Sequence, residues 1–323
     1  MRALIVGCGA LGYRYFQSLV KCHSFCHILL CDPRKPVWHE ISDSHAPSVS
    51  WVSSIDYIAP GRFDFVILST QADVRFRLLS KILTNLDVQF LLLEKFLFLE
   101  RSEYDEASDV VGKSGTLAFV NEWPSAVGWF RRAVLAARNG AKGSQLCIKV
   151  DGYKWGLASN AVHFVGLFRS VLKLSKPIEF IDGRVRSIYE TKRVGASDIC
   201  GSLSFRCGSV KLELVSRIPD LDNVDWNDDL FMTLTDGKEP ITAIEIKRED
   251  TRIIMDKRNI YGGVENFPPV YLSSYMSEVI RGLIEHRSCD LPSYAESRDS
   301  HVAVLAGLEV LLQRDQVASF KFT

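Results

Sequence analysis

The sequence carries no excess of one charge, because its 39 lysines and arginines are balanced by 39 aspartates and glutamates. No run of basic residues exceeds two, whereas dedicated nucleic-acid-binding proteins usually present a basic face. Long hydrophobic runs are also missing. The most apolar segment, residues 90–99, is broken by Glu94 and Lys95 and falls short of the roughly 18 residues of a membrane-spanning helix. We therefore expect neither nucleic acid nor a membrane as a partner.

Cysteine is too scarce for a disulfide-stapled scaffold, with eight in 323 residues. Cys22, Cys26 and Cys31 do cluster with His23 and His27, which makes a zinc site conceivable, but no C-x-x-C pair occurs and a second ligand pair is missing. Reduced thiols in or near a core are the favoured alternative, so we expect no bound metal and a reducing, cytoplasmic compartment. The first residues do not match a signal peptide, because glycines interrupt their apolar run.

The first third of the chain does contain a regular alternation of short apolar runs and helical patterns. Strands are predicted at residues 3–6, 27–31, 64–68, 88–93 and 116–120, and helices at 10–20 and 74–83. Continuously apolar strands that alternate with helices are typical of a parallel sheet covered on both faces. The sequence thus predicts an α/β, doubly wound domain over residues 1–121.

From about residue 122 the pattern changes to strands with a more polar alternation. These strands are predicted at 147–150, 178–188, 202–206, 210–216, 230–234 and 241–246, and helices at 126–138, 160–172, 270–286 and 293–313. Strands joined by turns such as Asp236-Gly237 predict a mostly antiparallel sheet. Ser293 and Glu296 have the spacing of a capping box at the start of the last helix. The expected second domain, residues 122–323, is therefore α+β with an open sheet.

A glycine-rich motif opens the first helix directly after the first strand. Residues 7–12 read G-x-G-x-x-G, and Asp32 ends the next strand 20 residues after Gly12. This context is typical of a dinucleotide-binding fold, in which the glycines let the backbone approach a pyrophosphate and the start of the helix supplies amide donors. The residues expected to bind the pyrophosphate are Gly7, Gly9, Ala10, Leu11 and Gly12. A purely structural glycine turn is the alternative.

Asp32 bears on the choice between NAD and NADP. Its carboxylate can accept hydrogen bonds from the adenine ribose hydroxyls and would repel a 2′-phosphate, which favours NAD. Arg34 and Lys35 follow immediately and could bind such a phosphate, although solvated loop charges would give the same pattern. We expect NAD as the cofactor, with Arg34 near it and NADP as the alternative.

Three polar residues, Ser69-Thr70-Gln71, follow the strand at 64–68. Ligands of open parallel sheets bind beyond the carboxyl ends of the strands, so Ser69, Thr70 and Gln71 are expected to face the cofactor. The alternative is a helix N-cap, a role that Ser69, Thr70 or Asp73 could fill equally well.

Glu94 and Lys95 follow the strand at 88–93 in the same way. Burying an unpaired ammonium group is costly, so a lysine at this strand end is a poor core residue. Beyond the carboxyl end of the strand, Lys95 could polarise a substrate oxygen or donate a proton. A surface ion pair is the alternative for these two residues.

A further candidate group lies in the second domain. Asn160 is predicted to be the N-cap of the helix at 160–172, which places His163 on the same face at the helix N-terminus. An imidazole there tends to stay neutral and suits a general base. A satisfied, partly buried histidine is the alternative. Tyr153 and Trp155, in the aromatic stretch before the helix, are expected near the substrate together with Asn160.

These residues make the chain resemble the glucose–fructose oxidoreductase / inositol dehydrogenase (Gfo/Idh/MocA) family over nearly its whole length. The elements that occur in the family's order are Gly7–Gly12, Ser69-Thr70, Glu94-Lys95, Asn121, Asn160…His163 and Leu291-Pro292-Ser293. The resemblance implies a Rossmann domain, an open-faced antiparallel sheet, and Glu94, Lys95 and Asn121 near the cofactor. It also implies hydride transfer between a nicotinamide cofactor and a secondary alcohol or ketone carbon of a sugar, sugar derivative or nucleotide sugar, with Lys95 and His163 catalytic.

Several positions depart from the family's pattern. Phe96 replaces a proline and so removes a likely cis bond or a fixed φ. Gly166 replaces an acid three residues after His163; Trp123 replaces a basic residue and Arg75 a histidine. Three interpretations stay open: an oxidoreductase of this type, an enzyme that reduces an imine or alkene, or a catalytically impaired protein that senses NAD(H) or serves as a structural partner.

The open sheet expected in the second domain also predicts that the protein self-associates. The exposed face of an open antiparallel sheet tends to be covered by another chain. We therefore expect a homodimer or homotetramer formed through residues 178–246, acting on a small-molecule sugar or nucleotide sugar in carbohydrate metabolism.

Overall fold

A computed structural model describes residues 1–38, 47–141, 143–191, 195–218, 230–246, 251–255, 264–267, 272–315, 320 and 322. The chain forms two compact units. Unit 1 comprises Met1–Ala126 and Tyr271–Arg298, and unit 2 comprises Val127–Val270 and Asp299–Thr323. The predicted domains meet at a single boundary after residue 121. The division differs from that prediction, because the segment Tyr271–Arg298 belongs to the first unit. Its Pro292 carbonyl accepts a 3.0 Å hydrogen bond from the Val120 amide of that unit.

Unit 1 is built on a parallel sheet. Within the described ranges its strands are β1 Arg2–Val6, β2 His27–Cys31, β3 Ser48–Val52, β4 Arg62–Leu68, β5 Asp87–Leu93 and β6 Leu117–Val120. Their order is β3-β2-β1-β4-β5-β6, and all neighbouring strands in this order pair in parallel. The winding reverses between β1 and β4, which makes that pair the topological switch point. Leu4, Ile5, Val66 and Ile67 are fully buried, as expected for strands covered on both faces.

Unit 2 is built on a mixed, mostly antiparallel sheet. Its described strands are β7 Leu146–Tyr153, β8 Glu179–Glu190, β9 Ser197–Cys207, β10 Val210–Arg217, β11 Leu230–Thr235, β12 Pro240–Ile246, β13 Thr251–Met255 and β14 Val264–Phe267. Their order is β14-β13-β12-β11-β7-β10-β9-β8, with β7 and β10 parallel. Along β7, Ile148 and Val150 are buried on one face, whereas Lys149 on the other face is exposed. The sheet thus has a covered face and an open face.

The described helices are α1 Ala10–Lys21, α2 Ala72–Asn85, α3 Arg101–Ser114, α4 Trp123–Ala126, α5 Gly128–Gly140, α6 Leu157–Val165, α7 Leu167–Ser170, α8 Leu272–His286 and α9 Tyr294–Arg314. In unit 1, α8 packs against α1, and Leu19, Met276 and Ile280 share one buried core. In unit 2, α5 contacts β11 and β12, and α6 contacts β9 and β10. None of the described helices is both long and apolar enough to cross a bilayer.

The predicted fold class is confirmed: a doubly wound parallel sheet precedes an α+β unit with an open, mostly antiparallel sheet. The capping box is also confirmed, since the Glu296 amide donates to Ser293 Oγ at 3.3 Å and the Ser293 amide donates to Glu296 Oε2 at 2.9 Å. The predicted helix at 160–172 is instead two helices, α6 and α7, that meet at Gly166. The elements that sequence patterns missed are β3, α3, α4, β13 and β14.

Candidate functional site

The glycine motif forms a tight turn between β1 and α1. A Cβ at Gly12 would lie 2.2 Å from the Gly7 carbonyl oxygen, and Gly7 itself has φ +91°, so the fold requires glycine at both positions. Gly9 is different. Its φ of −71° suits any residue, and a Cβ there would meet nothing within 4 Å. The backbone at Gly9 therefore borders open space, as it must where a phosphate approaches closely.

The N-terminus of α1 adds to the anion-binding character of this turn. The helix begins at Ala10, and its N-cap, Gly9, provides no side-chain cap for the first amides. The first turn of α1 contains no acidic residue. The free amides and the positive end of the helix dipole can therefore bind an anion such as a pyrophosphate.

Asp32 lies beside the glycine turn. Its Oδ2 accepts a 2.8 Å hydrogen bond from the Cys8 amide, and its Oδ1 accepts a 2.9 Å bond from the Arg34 amide. An ionised carboxylate has about four acceptor sites, so these two bonds orient it and leave capacity for ligand hydroxyls. Burial, and secondarily the Asp32 charge, raise the pKa of the Cys8 thiol to about 12, so this thiol stays neutral.

Ser69 holds the glycine turn from the neighbouring strand end. Its hydroxyl donates to the Gly7 carbonyl at 2.7 Å, and its amide donates to the Val6 carbonyl at 2.9 Å. The N-cap of α2 is Gln71, which makes no side-chain cap bond. Ser69 thus positions the turn rather than the helix, whereas Gln71 is exposed at the start of α2.

Glu94 and Asn121 belong to a buried polar network that also contains Tyr15 of α1 and Tyr275 of α8. The Tyr15 hydroxyl and Asn121 Nδ2 both donate to Glu94 Oε1, the latter at 2.8 Å. The Tyr275 hydroxyl donates to Asn121 Oδ1 at 3.0 Å. Burial and the Glu94 charge raise the pKa of both tyrosines. The network joins α1 and α8 to the ends of β5 and β6. The sequence did not identify the two tyrosines as site residues, because their spacing is that of ordinary helix core.

Lys95 is half-buried at the carboxyl end of β5. The ends of β1, β4 and β5 are adjacent in the sheet, so the structure brings Lys95 to the same edge as the glycine turn and Ser69. The Lys95–Phe96 peptide bond is cis, so the expectation that Phe96 removes a cis bond is wrong. The site residues of unit 1 thus share one edge, where ligands of doubly wound sheets bind.

The start of α6 differs from the prediction. The helix begins at Leu157, after Gly156 in a left-handed conformation with φ +78°. Its first amides are capped by Asp198 of β9, which accepts from Ala158 at 2.8 Å and from Ser159 at 3.2 Å. Asn160 as the N-cap is therefore wrong; its Nδ2 donates to the Trp155 carbonyl at 2.7 Å.

His163 consequently lies in the last turn of α6, and its placement at the helix N-terminus is also wrong. The argument that the helix dipole keeps this imidazole neutral does not apply, because the C-terminal end favours positive charge. Trp155 shares this part of unit 2. Its indole N–H donates to the Val215 carbonyl at 2.7 Å, and its ring meets Phe164 edge-to-face at 5.7 Å.

Tyr153 occupies a different place from Trp155, on the open face of the unit 2 sheet. It lines a cavity of about 370 Å³ whose other walls are Lys149, Asp151, Gly152, Arg217, Phe231 and Thr233. Arg217 pairs with the Asp151 carboxylate through two nitrogens, Nε at 2.7 Å from Oδ1. This pairing raises the pKa of Arg217. The structure thus places Tyr153 at this cavity and Asn160 beside Trp155.

Glu122, next to Asn121, is a buried carboxyl group that sequence patterns did not single out. The residue is 1% exposed, and its Oε1 accepts a hydrogen bond from the Ser297 hydroxyl. Burial raises the pKa of Glu122 to about 8, an effect that the Ser297 bond offsets only in part. The folded protein therefore keeps this group protonated at neutral pH, whereas the unfolded chain does not.

We expect the free energy of unfolding to fall as the pH rises from about 5 to 8, because only the folded state retains the Glu122 proton. The loss is at most about 4 kcal/mol. Glu122→Gln, whose amide resembles the protonated acid, should flatten this slope in urea unfolding measured at several pH values. Glu106→Gln, on the exposed side of α3, is the control and should keep it. Identical slopes for Glu122→Gln and the original protein would contradict this account.

The described residues contain no group of three or more His, Cys, Asp or Glu side chains arranged to hold a metal ion. Cys22, Cys26 and Cys31 are free thiols. Cys22 Sγ contacts the Ser18 and Ser277 carbonyls, at 3.1 and 3.4 Å. The cysteines and histidines of this cluster thus belong to no such group within the described ranges.

No protein-family model and no curated protein matches the chain. Solved structures do match over nearly its whole length. A probable dehydrogenase from Thermotoga maritima aligns with TM-score 0.67 and 15% identity over 97% of this chain and 98% of the other. The WlbA dehydrogenase from Bordetella pertussis, in complex with NADH and UDP-GlcNAcA, aligns with TM-score 0.63 and 12% identity over 99% and 97%.

A third similar structure is UDP-N-acetylglucosamine 3-dehydrogenase GnnA from Acidithiobacillus ferrooxidans, with TM-score 0.58 and 13% identity over 95% of this chain and 96% of the other. These structural alignments establish a shared fold, and sequence identities this low support no conclusion beyond the fold. The chemistry of this chain has to be argued from its own residues.

Proposed function

We propose that the protein is an NAD(P)-dependent oxidoreductase of the Gfo/Idh/MocA type. It transfers a hydride to or from a secondary alcohol or ketone carbon of a sugar, sugar derivative or nucleotide sugar. The observation that carries this proposal is the glycine turn, where Gly7 and Gly12 are fixed by the fold while Gly9 borders open space beside the start of α1. A glycine that the fold does not need is explained by a ligand that approaches its backbone.

The residues present fit a nicotinamide dinucleotide. The turn and the first amides of α1, at Ala10 and Leu11, would hold the pyrophosphate. Asp32, oriented by the Cys8 and Arg34 amides, would accept the hydroxyls of the adenine ribose. Its charge favours NAD over NADP, although the exposed Arg34 leaves NADP as the alternative.

We propose that the two halves of the dinucleotide lie on the two sides of the switch point. The adenosine half would lie over β2, beside Asp32, and the nicotinamide half over β4 and β5, beside Ser69 and Lys95. When bound, the cofactor supplies a hydride acceptor or donor at its nicotinamide ring. Glu94 and Asn121 would act through the buried network, because their side chains are already bonded to Tyr15 and Tyr275.

Two residues are proposed to move the proton that accompanies hydride transfer. Lys95 would donate a hydrogen bond to the reacting oxygen and stabilise the charge that develops there. His163 would accept or return the proton, with Tyr153, Trp155 and Asn160 as candidate substrate contacts. A sugar substrate is supported by the two similar structures named above, one bound to UDP-GlcNAcA and one a UDP-N-acetylglucosamine 3-dehydrogenase. The free thiols are in keeping with a cytoplasmic role in carbohydrate metabolism.

A panel of sugars, cyclitols and UDP-sugars, incubated with protein and NAD⁺ or NADH, tests this function through the near-ultraviolet absorbance of NADH. At least one substrate should give protein-dependent turnover. Tight NADH binding with no turnover across the panel would favour the alternative, a catalytically impaired NAD(H)-binding sensor or structural protein. That alternative is favoured by Gly166 and Trp123, which stand where the Gfo/Idh/MocA family has charged residues.

The open face of the unit 2 sheet is proposed to mediate a homodimer or homotetramer. Phe231 is 49% exposed there, and Ile188 on β8 is 41% exposed. Association with another chain would bury these apolar side chains. The predicted interface, 178–246, also includes 192–194 and 219–229, which lie outside the described residues.

Light scattering should give a mass of two or four chains, and Phe231→Glu should shift that mass towards one chain, because a carboxylate would be buried in the interface. Val310→Glu is the matched control, since Val310 is 51% exposed on α9; its mass should equal that of the original protein. A single-chain mass for the unaltered protein would contradict the proposal.

A further inference from the structure

Arg75 of α2 is a buried cation held by main-chain carbonyls from two strand ends. The residue is 2% exposed. One guanidinium nitrogen, Nη2, donates to the Thr70 carbonyl after β4. The other, Nη1, donates to the Phe96 carbonyl and, at 3.0 Å, to the Leu97 carbonyl after β5. A single side chain thus joins the loops that follow two neighbouring strands.

Burying this side chain costs free energy, which its hydrogen bonds have to offset. A buried guanidinium loses its hydration, and Arg75 lies only four residues after the N-cap of α2, near the positive end of that helix. Three carbonyl acceptors offset that cost, since hydrogen bonds to a charged donor are about twice as strong as neutral ones. The planar fork of arginine reaches two loops at once, which the single ammonium of lysine does not.

The candidate catalytic lysine, Lys95, lies in the second of these loops, the one that follows β5. Before Lys95, the Glu94 carboxylate is anchored by Tyr15 and Asn121. After it, the carbonyl of Phe96 is held by Arg75. The backbone is therefore fixed on both sides of Lys95, on the β4 and β5 side of the switch point, away from Asp32.

We infer that Arg75 is a positioning residue: it holds the loops after β4 and β5 in the arrangement that receives the nicotinamide half of the dinucleotide and aims Lys95. The inference rests on the proposed function. It assigns Arg75 no contact with the adenosine half, which lies across the switch point. Loss of the fork should thus weaken binding of the whole dinucleotide and leave binding of its ADP-ribose part unchanged.

Calorimetric titration of the full chain with NADH and, separately, with ADP-ribose tests this. For Arg75→Lys we expect the NADH dissociation constant to rise about tenfold, as for the loss of one charge-assisted hydrogen bond. The ADP-ribose constant should stay within about twofold of the original. The fluorescence of bound NADH, which arises from the nicotinamide, should also change. Arg77→Lys, the same substitution at an exposed residue of α2, is the control and should change none of these.

A second variant, Arg75→Gln, keeps one donor without the charge and is expected to show the same selective loss. Thermal unfolding establishes that each variant is folded before titration. The positioning role would be overturned if the binding of NADH and ADP-ribose weakened equally, if the binding of neither weakened, or if both variants failed to fold. Arg75 would then have a general structural role. If the original protein binds neither ligand, the proposed function itself fails and this inference falls with it.

Discussion

Gly9→Ala is expected to abolish measurable NADH binding while the protein stays folded. The φ of Gly9 suits alanine, and the added Cβ would meet no protein atom within 4 Å, so the fold has no reason to resist it. In the complex, that methyl group would occupy the space where the pyrophosphate approaches the backbone. We expect the dissociation constant to rise at least about 100-fold. Calorimetry for binding and thermal unfolding for stability measure the two effects separately.

Two other glycine substitutions serve as controls for this result. Gly112→Ala lies on the exposed side of α3, where it should preserve NADH binding and slightly raise the unfolding temperature, because alanine is the better helix former. Gly12→Ala would place its Cβ 2.2 Å from the Gly7 carbonyl oxygen and should destabilise the fold. If Gly9→Ala binds NADH as tightly as the original protein, the turn does not cradle a phosphate.

Lys95→Met is expected to lower turnover of a substrate found in the sugar panel by about 10³-fold, the usual contribution of a positioned proton donor. Methionine keeps the length and apolar body of the side chain but removes the ammonium group that would stabilise the reacting oxygen. NADH binding should change by less than about threefold, because the pyrophosphate and adenosine contacts lie elsewhere on the sheet edge.

Lys113→Met, at the exposed end of α3, is the matched substitution and should leave both turnover and binding unchanged. Turnover that survives Lys95→Met at the original rate would remove Lys95 from the mechanism. Loss of NADH binding to the same extent as turnover would assign Lys95 to the cofactor rather than to proton transfer.

The parallel sheet and the glycine turn could be predicted from sequence because their signals are local. Buried parallel strands read as continuous apolar runs, and the G-x-G-x-x-G spacing lies within one turn. β3 was missed since it is an edge strand whose first three residues, Ser48, Val49 and Ser50, are exposed. α3 was missed because Tyr104 and Ala107 are its only buried residues, too few to set a helical period.

The start of α6 could not be predicted because its cap comes from far along the chain. Asp198 is about forty residues away from the amides of Ala158 and Ser159 that it caps. Asn160 is a good N-cap by residue type, but it lies four residues after Gly156, the actual N-cap of α6. The error carried over to His163, whose position in the helix was counted from the wrong residue.

The buried contacts of unit 1 depend on tertiary structure in the same way. The network around Glu94 joins side chains from α1, α8 and the residue that follows β6, and the Arg75 guanidinium joins two loops. Each member is unremarkable in its own segment. Their common location follows only from the strand order, which brings the ends of β4, β5 and β6 together.

Calorimetric titration of cofactor-stripped protein with NADH and NAD⁺ tests the central claim, that the glycine turn and Asp32 bind a nicotinamide dinucleotide. The account predicts a saturable heat with about one site per chain, and weaker binding of NADPH than of NADH because Asp32 repels the 2′-phosphate. The absence of heat with oxidised and reduced forms of both dinucleotides would contradict it.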